Sequence, residues 1–178
     1  LNYLAQDRAD LMYSSKEISR RMAKPGAGDW NLLKRVDRYL LGAPRLVQFF
    51  YWQSMPSSAV THVDSDWAGC KSSCKSTSGG VVSFGQHLIK GWATTQSVIA
   101  LSSGEAELYA LVKGAAQTLG IMAMARDFGV ELSGHVRSDS SAAIGITSRE
   151  GLGKLRHINV QYLWVQERFK AEDLKLSK

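Results

Sequence analysis

The sequence predicts an α/β domain preceded by a helical extension. Three observations favour this fold class: three short strand-like segments lie in succession between residues 59 and 93, one long amphipathic helix follows, and two further strands alternate with short helices. Strands joined in succession favour an antiparallel meander, and the long helix is expected to pack on the sheet. With 178 residues, 44% of them hydrophobic, the chain can build one domain core and an appendage.

Residues 1–44 predict two helical segments. The first is rich in Lys and Arg and ends at the PGAG sequence of residues 25–28. The second is expected to begin with Asp29 as its N-cap and to stop at the GAP sequence of residues 42–44. Its apolar residues recur at helical spacing and are expected to face a core: Trp30, Leu33, Val36 and Leu40. Its basic residues are either solvated or in contact with phosphate: Lys34, Arg35 and Arg38.

Residues 45–51 (RLVQFFY) are rich in strand-forming side chains and predict a strand. Residues 54–58, which include Pro56, predict a linker or turn. We therefore place a domain boundary there, so that residues 1–55 form a helical connection segment and residues 56–178 form the α/β domain.

The α/β domain opens with the three predicted strands. A β-branched run at 59–63 ends at Asp64, and strands at 80–84 and 88–93 are separated by a GQH sequence suited to a hairpin. The long helix is predicted from Ser103 to Phe128, because Ser102 and Glu105 have capping-box spacing. Its apolar face comprises Leu108, Leu111, Val112, Ala115, Leu119 and Met122.

The remaining elements are shorter. Residues 135–139 (HVRSD) predict a fourth strand and residues 140–146 a short helix. A loop with two glycines and a further helix follow, the helix being marked by Ile158, Tyr162, Val165 and Phe169. Residues 174–176 open a fifth strand that the chain end cuts short, so we expect the C-terminal end of the domain to be truncated.

Composition narrows the classes of function. A net charge of +6 and a pI near 9.4 favour a polyanionic partner. Cys70 and Cys74 have no second pair at zinc-ligand spacing, so a reduced intracellular chain is the simpler interpretation. No apolar run approaches the roughly 18 to 20 residues of a membrane span, and the N-terminus lacks the layout of a signal peptide. Because the chain begins without Met and ends in mid-pattern, we expect it to be part of a longer protein.

Three carboxylates stand where sheet and helix elements begin or end: Asp64 after the first strand, Glu107 in the first turns of the long helix, and Asp139 after the fourth strand. If the first and fourth strands are neighbours, the two aspartates converge at one sheet end and the helix can deliver Glu107 between them. Such a cluster suits Mg²⁺ or Mn²⁺, and two such ions can support phosphodiester hydrolysis. Taken singly, each acid is also ordinary turn or helix-terminus chemistry.

The sequence motifs around these acids resemble those of a known protein family. They are HVDSDWAGC at 62–70, STSGG at 76–80, SSGEAELYA at 102–110, RSDSSAAI at 137–144 and RHINV at 156–160. They resemble the ribonuclease H domain of copia-type retrotransposon Pol polyproteins. Upstream, RADL at 8–11, Trp30 and KRVDRYLLG at 34–42 resemble the segment that follows the reverse transcriptase in those polyproteins. The resemblance covers nearly the whole chain, in order.

The resemblance implies a ribonuclease H-like mixed five-stranded sheet flanked by helices. It also implies Mg²⁺-dependent hydrolysis of the RNA strand of an RNA·DNA hybrid, with Mn²⁺ as a substitute. Carried over by motif, Asp64, Glu107 and Asp139 become the catalytic residues and metal ligands. Asp66 and Glu105 are their nearest rivals, but Asp66 lies past the last β-branched residue of its strand and Glu105 is explained as the capping partner of Ser102.

Two departures from the family pattern stand out. The family has a fourth carboxylate in a C-terminal helix, which would lie beyond Lys178, so we expect an incomplete site with weak, Mn²⁺-favoured activity or binding alone. Asn159 replaces the usual Asp and is expected to be structural. His157 is expected either at the surface or in contact with the site or substrate.

Substrate contacts are expected mainly with the nucleic acid backbone. The candidate hydroxyl donors lie beside the proposed acids: Ser65, Ser76, Ser78, Ser103, Ser140 and Ser141. The candidate phosphate contacts are Lys71, Lys75 and Lys90. The same serines are also typical of turns and caps. The expected partners are an RNA·DNA hybrid and the reverse transcriptase of the same polyprotein, in the cytoplasm within a virus-like particle or in the nucleus.

Two other functions share this fold. One is a ribonuclease H-like module without catalysis, which binds nucleic acid or tethers the polymerase. The other is an integrase or transposase domain, which is disfavoured because that class places its Glu last in the triad whereas Glu107 lies in the middle motif. The nucleic acid that is cut, hybrid or duplex DNA, discriminates between the enzymes.

Overall fold

The computed structural model describes residues 1–151, 153, 157–158 and 162–178. The chain divides into two compact units: one contains Leu1–Trp52 and Trp92–Thr94, and the other contains Gln53–Gly91 and Thr95–Lys178. The domain boundary expected after residue 55 stays a prediction.

The first unit is helical. Its elements are α1 (Leu4–Asp7), a 3₁₀ turn (Ala9–Leu11), α2 (Met12–Ser19) and α3 (Ala27–Gly42). Ala5, Leu11 and Val36 form its buried core, with Leu1, Ile18 and Leu40 packed against them. The apolar face expected on α3 is thus only partly confirmed: Val36 and Leu40 pack in the core, but Trp30 is 59% exposed. The predicted N-cap was also wrong: Gly26 is the N-cap, and its N–H donates to Asp29 Oδ2 at 2.8 Å.

A buried arginine ties the ends of this unit together. Arg8 donates to the carboxylate of Asp10 and, at 3.1 Å, to the carbonyl oxygen of Ala43. The hydroxyl of Tyr39 donates to Asp10 Oδ2 at 2.7 Å. The hydrogen bond from Arg8 lowers the pKa of Asp10 to about 2, although burial opposes the shift.

The strand predicted at 45–51 is not present. These residues have no regular secondary structure, and Val47, Phe49 and Tyr51 are among several exposed large side chains of the segment. Strand propensity largely measures how a side chain fits a half-buried pleated surface, so an exposed run of strand formers can stay irregular.

The second unit contains most of a mixed five-stranded sheet. Its strands are β1 (Ser58–Ser65), β2 (Thr77–Phe84), β3 (His87–Thr95), β4 (Ser133–Arg137) and β5 (Leu174–Ser177). The strand order is β3-β2-β1-β4-β5, with the first three strands antiparallel. Both β1 with β4 and β4 with β5 pair in parallel. The expected mixed sheet is confirmed.

Two helices of this unit fall close to the expected positions, whereas the third begins at Trp164, so that Ile158 and Tyr162 lie outside the helix that they were expected to mark. The helices are α4 (Ser103–Asp127), α5 (Ser141–Thr147) and α6 (Trp164–Lys170). The hydroxyl of Ser102 accepts the Glu105 N–H at 3.2 Å, which confirms the predicted helix start. Among the residues described, α4 is the one helix long and apolar enough to cross a bilayer, so the expectation that no apolar run approaches that length was wrong. Its N-terminal half is buried and contacts β1 and β2, which is the position of a core helix.

The contact between α4 and β1 is close because of one glycine. A Cβ at Gly114 would lie 2.3 Å from Val63 Cγ1. Because the Val63 side chain is stiff, we expect Gly114→Ala to lower the free energy of unfolding by about 1 to 3 kcal/mol. Gly120→Ala, on the same helix with open space at its Cβ, is the control and should raise it by about 0.5 to 1 kcal/mol. Urea denaturation measures both, and equal effects would contradict the close packing.

Candidate active site

The two aspartates lie side by side at one end of the sheet. In the parallel pairing of β1 with β4, Ser58 lies opposite Ser133 and His62 opposite Arg137. Extending this register by two residues brings Asp64 level with Asp139. Both are exposed, because the strands end there and nothing covers their side chains in the described part of the chain. The convergence expected from the sequence follows directly from this strand order.

Glu107 reaches the same place from α4. Its side chain is buried, and Oε1 accepts the backbone N–H of Ser65 at 3.2 Å. That bond orients the carboxylate towards the end of β1. The other oxygen, Oε2, is buried and has no hydrogen-bond partner within the described residues. A buried carboxylate oxygen without a donor is costly and therefore calls for a ligand or a proton.

The three acids form one electrostatic unit. One ligand oxygen from each of Asp64, Glu107 and Asp139 lies within 4.8 Å of the others. Burial, together with the negative charges of Asp64 and Asp139, raises the pKa of Glu107 to about 7, while the Ser65 N–H opposes that rise. At neutral pH the negative charge of the cluster can thus be reduced either by a proton on Glu107 or by a bound cation.

The donor set fits a hard divalent cation. All three groups are carboxylates, which Mg²⁺ and Mn²⁺ prefer. A cation would also compensate the buried Glu107 Oε2, which has no hydrogen-bond partner among the described residues. Within the residues that the structure describes, this is the one cluster of three or more His, Cys, Asp or Glu side chains that could hold a metal ion.

The two rival acids have other partners. Asp66 Oδ1 accepts the backbone N–H of Thr77, so this side chain closes the turn after β1. Glu105 is 1% exposed and accepts from the Leu101 N–H at 2.9 Å and from the Tyr109 hydroxyl at 2.6 Å. His157 Nε2 lies 2.9 Å from Glu105 Oε2. Burial raises the pKa of Glu105, but these three hydrogen bonds outweigh it and leave the pKa lowered.

Replacing Glu105 by glutamine should therefore affect the protein differently from replacing Glu107. We expect Glu105→Gln to lower the free energy of unfolding at pH 7 by about 1 to 3 kcal/mol, because charge-assisted hydrogen bonds are lost inside the protein. Mn²⁺ affinity should stay within about threefold of the wild type, since a bound metal would contact Glu107 instead. Thermal denaturation and Mn²⁺ titration measure the two quantities. Normal stability with lost Mn²⁺ binding would make Glu105 the ligand.

The predicted substrate residues fall into two groups. Three serines flank the acids in sequence: Ser65 ends β1, Ser103 begins α4, and Ser140 is the N-cap of α5, where its hydroxyl accepts the Ala143 N–H. Ser141 is exposed, whereas Ser76 and Ser78 are buried and therefore poorly placed for a substrate. The lysines lie further along the chain: Lys71 and Lys75 in the β1–β2 connection, and Lys90 on β3. Asn159 lies outside the described residues.

One buried side chain beside the acids was not predicted from the sequence. Gln96, directly after β3, is 7% exposed and donates hydrogen bonds to Ser65 and Ala106, the residues next to Asp64 and Glu107. No local pattern distinguishes this glutamine from a loop residue, because its partners lie 31 and 10 positions away.

Several known proteins are similar to the chain. It is 29% identical over 179 residues to the Retrovirus-related Pol polyprotein from transposon RE2 of Arabidopsis thaliana, a match to 99% of the chain and 12% of the polyprotein. It is 27% identical over 173 residues to that from transposon TNT 1-94 of Nicotiana tabacum, covering 96% of the chain and 13% of that protein. The chain thus spans about an eighth of these relatives.

A shorter relative and a solved structure also match. The Secreted RxLR effector protein 161 of Plasmopara viticola is 32% identical over 104 residues, which cover 58% of the chain and 72% of that protein. The solved structure of LC11-RNase H1, isolated from compost, has a TM-score of 0.45 and 12% identity, and the match covers 68% of the chain and 83% of that structure. No family model matches the chain.

Proposed function

Because the chain is homologous over nearly its whole length to the Pol polyproteins of copia-type retrotransposons, we propose that residues 56–178 are their ribonuclease H domain and that residues 1–55 are the segment connecting it to the reverse transcriptase. In this role it hydrolyses the RNA strand of RNA·DNA hybrids during reverse transcription, as a metal-dependent endonuclease. The observation that carries the proposal is the convergence of Asp64, Glu107 and Asp139 within 4.8 Å at the end of the sheet.

The three carboxylates would hold Mg²⁺, for which Mn²⁺ can substitute. When bound, the metal would supply Lewis-acid catalysis and promote deprotonation of the water that attacks the phosphodiester. The side chains provide geometry: the sheet fixes the two aspartates, and the Ser65 N–H orients Glu107. The cation would also compensate the mutual repulsion of the acids, which adds to the effect of burial in raising the pKa of Glu107.

Groups around the acids can bind the nucleic acid backbone. The hydroxyls of Ser103 and Ser140 are close to the acids in sequence and suited to donate to phosphate or to a 2′-hydroxyl. The Ser65 hydroxyl could do the same once it releases the hydrogen bond that it donates to Asp66 O. Lys71 and Lys75 would add salt-dependent phosphate contacts. We expect His157 to contribute less to substrate binding than these residues, because its Nε2 is in hydrogen-bond contact with Glu105. The proposal also implies two partners, the hybrid itself and the reverse transcriptase of the same polyprotein, in cytoplasmic virus-like particles or the nucleus.

Strand-resolved cleavage tests this proposal. The chain is incubated with an RNA·DNA hybrid labelled on either strand, in Mg²⁺, in Mn²⁺ or in EDTA, beside DNA and RNA duplexes of the same sequence. We expect metal-dependent cleavage of the hybrid's RNA strand alone. Cleavage of duplex DNA would indicate the chemistry of an integrase. Hybrid binding without cleavage in either metal would indicate a module that tethers the polymerase to its template, and would overturn the enzymatic proposal.

A further inference from the structure

A buried amide joins the elements that carry two of the proposed ligands. Gln96 Nε2 donates to three acceptors, Ala106 O at 2.8 Å, Ser78 Oγ at 2.9 Å and Ser65 Oγ at 3.2 Å. These acceptors belong to α4, β2 and β1 in turn. The backbone N–H of Gln96 donates to Ser76 O at 2.8 Å, which fixes the base of the side chain.

Two of these acceptors adjoin the acids directly. Ser65 follows Asp64, and its backbone N–H is the donor to Glu107 Oε1. Ala106 precedes Glu107 in the first turns of α4. A single nitrogen therefore holds the end of β1 and the start of α4 at a set spacing, at the level where the two carboxylates face each other.

Fold stability alone gives a poor account of this amide. Its nitrogen carries two hydrogens for three acceptors, and its Oε1 is buried without a partner in the described part of the chain. Burying an acceptor without a donor is unfavourable, and an apolar side chain of similar length would avoid it. What an apolar side chain lacks is the N–H that spans Ser65 and Ala106.

We propose that Gln96 is a positioning residue, which sets the separation of Asp64 and Glu107 and thereby the affinity of the cluster for a divalent cation. This inference rests on the metal site of the proposed function. Partners that orient a metal site from outside the ligand shell typically change metal affinity or activity about 10- to 100-fold when they are removed. Gln96 acts through the backbone of its neighbours and touches neither the metal nor the substrate.

The test is the affinity of the whole chain for Mn²⁺ alone, followed by electron paramagnetic resonance of the free ion. We expect Gln96→Met to weaken Mn²⁺ binding at least about tenfold. Thr118→Val is the matched control. It removes the buried hydrogen bond between Thr61 Oγ1 and Thr118 Oγ1 (2.6 Å), which also joins α4 to β1 but lies several helical turns from the acids. Its Mn²⁺ affinity should stay within about twofold of the wild type, whatever it loses in stability.

Two further variants keep the test decisive. If Gln96→Met does not fold, Gln96→Leu also removes the N–H donor to Ala106 O without placing a charge near the acids, and should show the same loss of affinity. Ser78→Ala removes the acceptor that adjoins no acid and should bind Mn²⁺ like the wild type. Wild-type affinity in the folded Gln96 variants overturns this inference and leaves the metal site standing. Absence of Mn²⁺ binding by the wild type overturns the metal site itself.

Discussion

Replacing Asp64 or Asp139 by asparagine should reduce cleavage of the hybrid by more than about 100-fold. Losing a residue that only supports a metal ligand costs up to about 100-fold, and losing the ligand itself should cost more. The amide is nearly the same size but carries no negative charge, so it is a weaker ligand for a hard cation. Strand-resolved cleavage at saturating hybrid, with the wild type beside it, measures the effect. Unfolding should not contribute, because each substitution removes a charge that repels Glu107.

Asp66→Asn is the matched control for that experiment. The residue lies two positions after Asp64 and is equally exposed, but it accepts the Thr77 N–H in a turn and is outside the cluster. We expect its cleavage rate to remain within a few-fold of the wild type. If Asp66→Asn abolished cleavage and Asp64→Asn did not, the assignment of the ligand on β1 would be wrong.

Glu107→Gln should stabilise the metal-free protein. The folded-state pKa is about 7, against an ordinary value of 4.5 in the unfolded chain. As the pH rises from 4.5 to 7 the unfolded state releases this proton first, so the free energy of unfolding falls and stays low above pH 7. At roughly 1.36 kcal/mol per pH unit, the full penalty is about 3 kcal/mol. Because the amide must itself be desolvated, we expect a gain of about 1 to 3 kcal/mol at pH 8.

The sign of this effect is the informative part. In EDTA, urea denaturation at pH 4.5 should give Glu107→Gln and the wild type nearly equal stability, and the gain should appear between pH 5 and 8. Glu105→Gln is the internal control, because its lowered pKa predicts a loss of stability at pH 7. A stability loss in both variants would contradict the charge repulsion inferred among the three acids. Saturating Mn²⁺ should stabilise the wild type more than Glu107→Gln and so narrow the difference between them.

Most of the sheet domain could be predicted from local patterns. Alternating burial along β1 follows its alternating sequence, with Ala59, Thr61 and Val63 turned inward. The start of α4 followed from Ser102 and Glu105, although the Glu105 side chain reaches the Leu101 N–H. The convergence of the acids needed only one assumption beyond these patterns, that β1 and β4 are neighbours.

What could not be predicted depends on contacts distant in sequence. Residues 45–51 have the composition of a strand, and Trp30 the helical spacing of a core residue, yet each needs a packing partner that composition cannot reveal. Gln96 and the pairing of His157 with Glu105 are likewise set by tertiary placement. Glutamine after a strand is unremarkable until three acceptors from three elements surround its nitrogen.

The proposed function depends on Asp64, Glu107 and Asp139 together binding a divalent cation. Calorimetric titration of Mn²⁺ into the chain at pH 8 measures this binding, with Asp64→Asn, Glu107→Gln and Asp139→Asn beside the wild type. We expect saturable binding by the wild type, at least about tenfold weaker binding by each of these variants, and wild-type binding by Asp66→Asn. Wild-type affinity in all three amide variants, or no binding by the wild type, would contradict it.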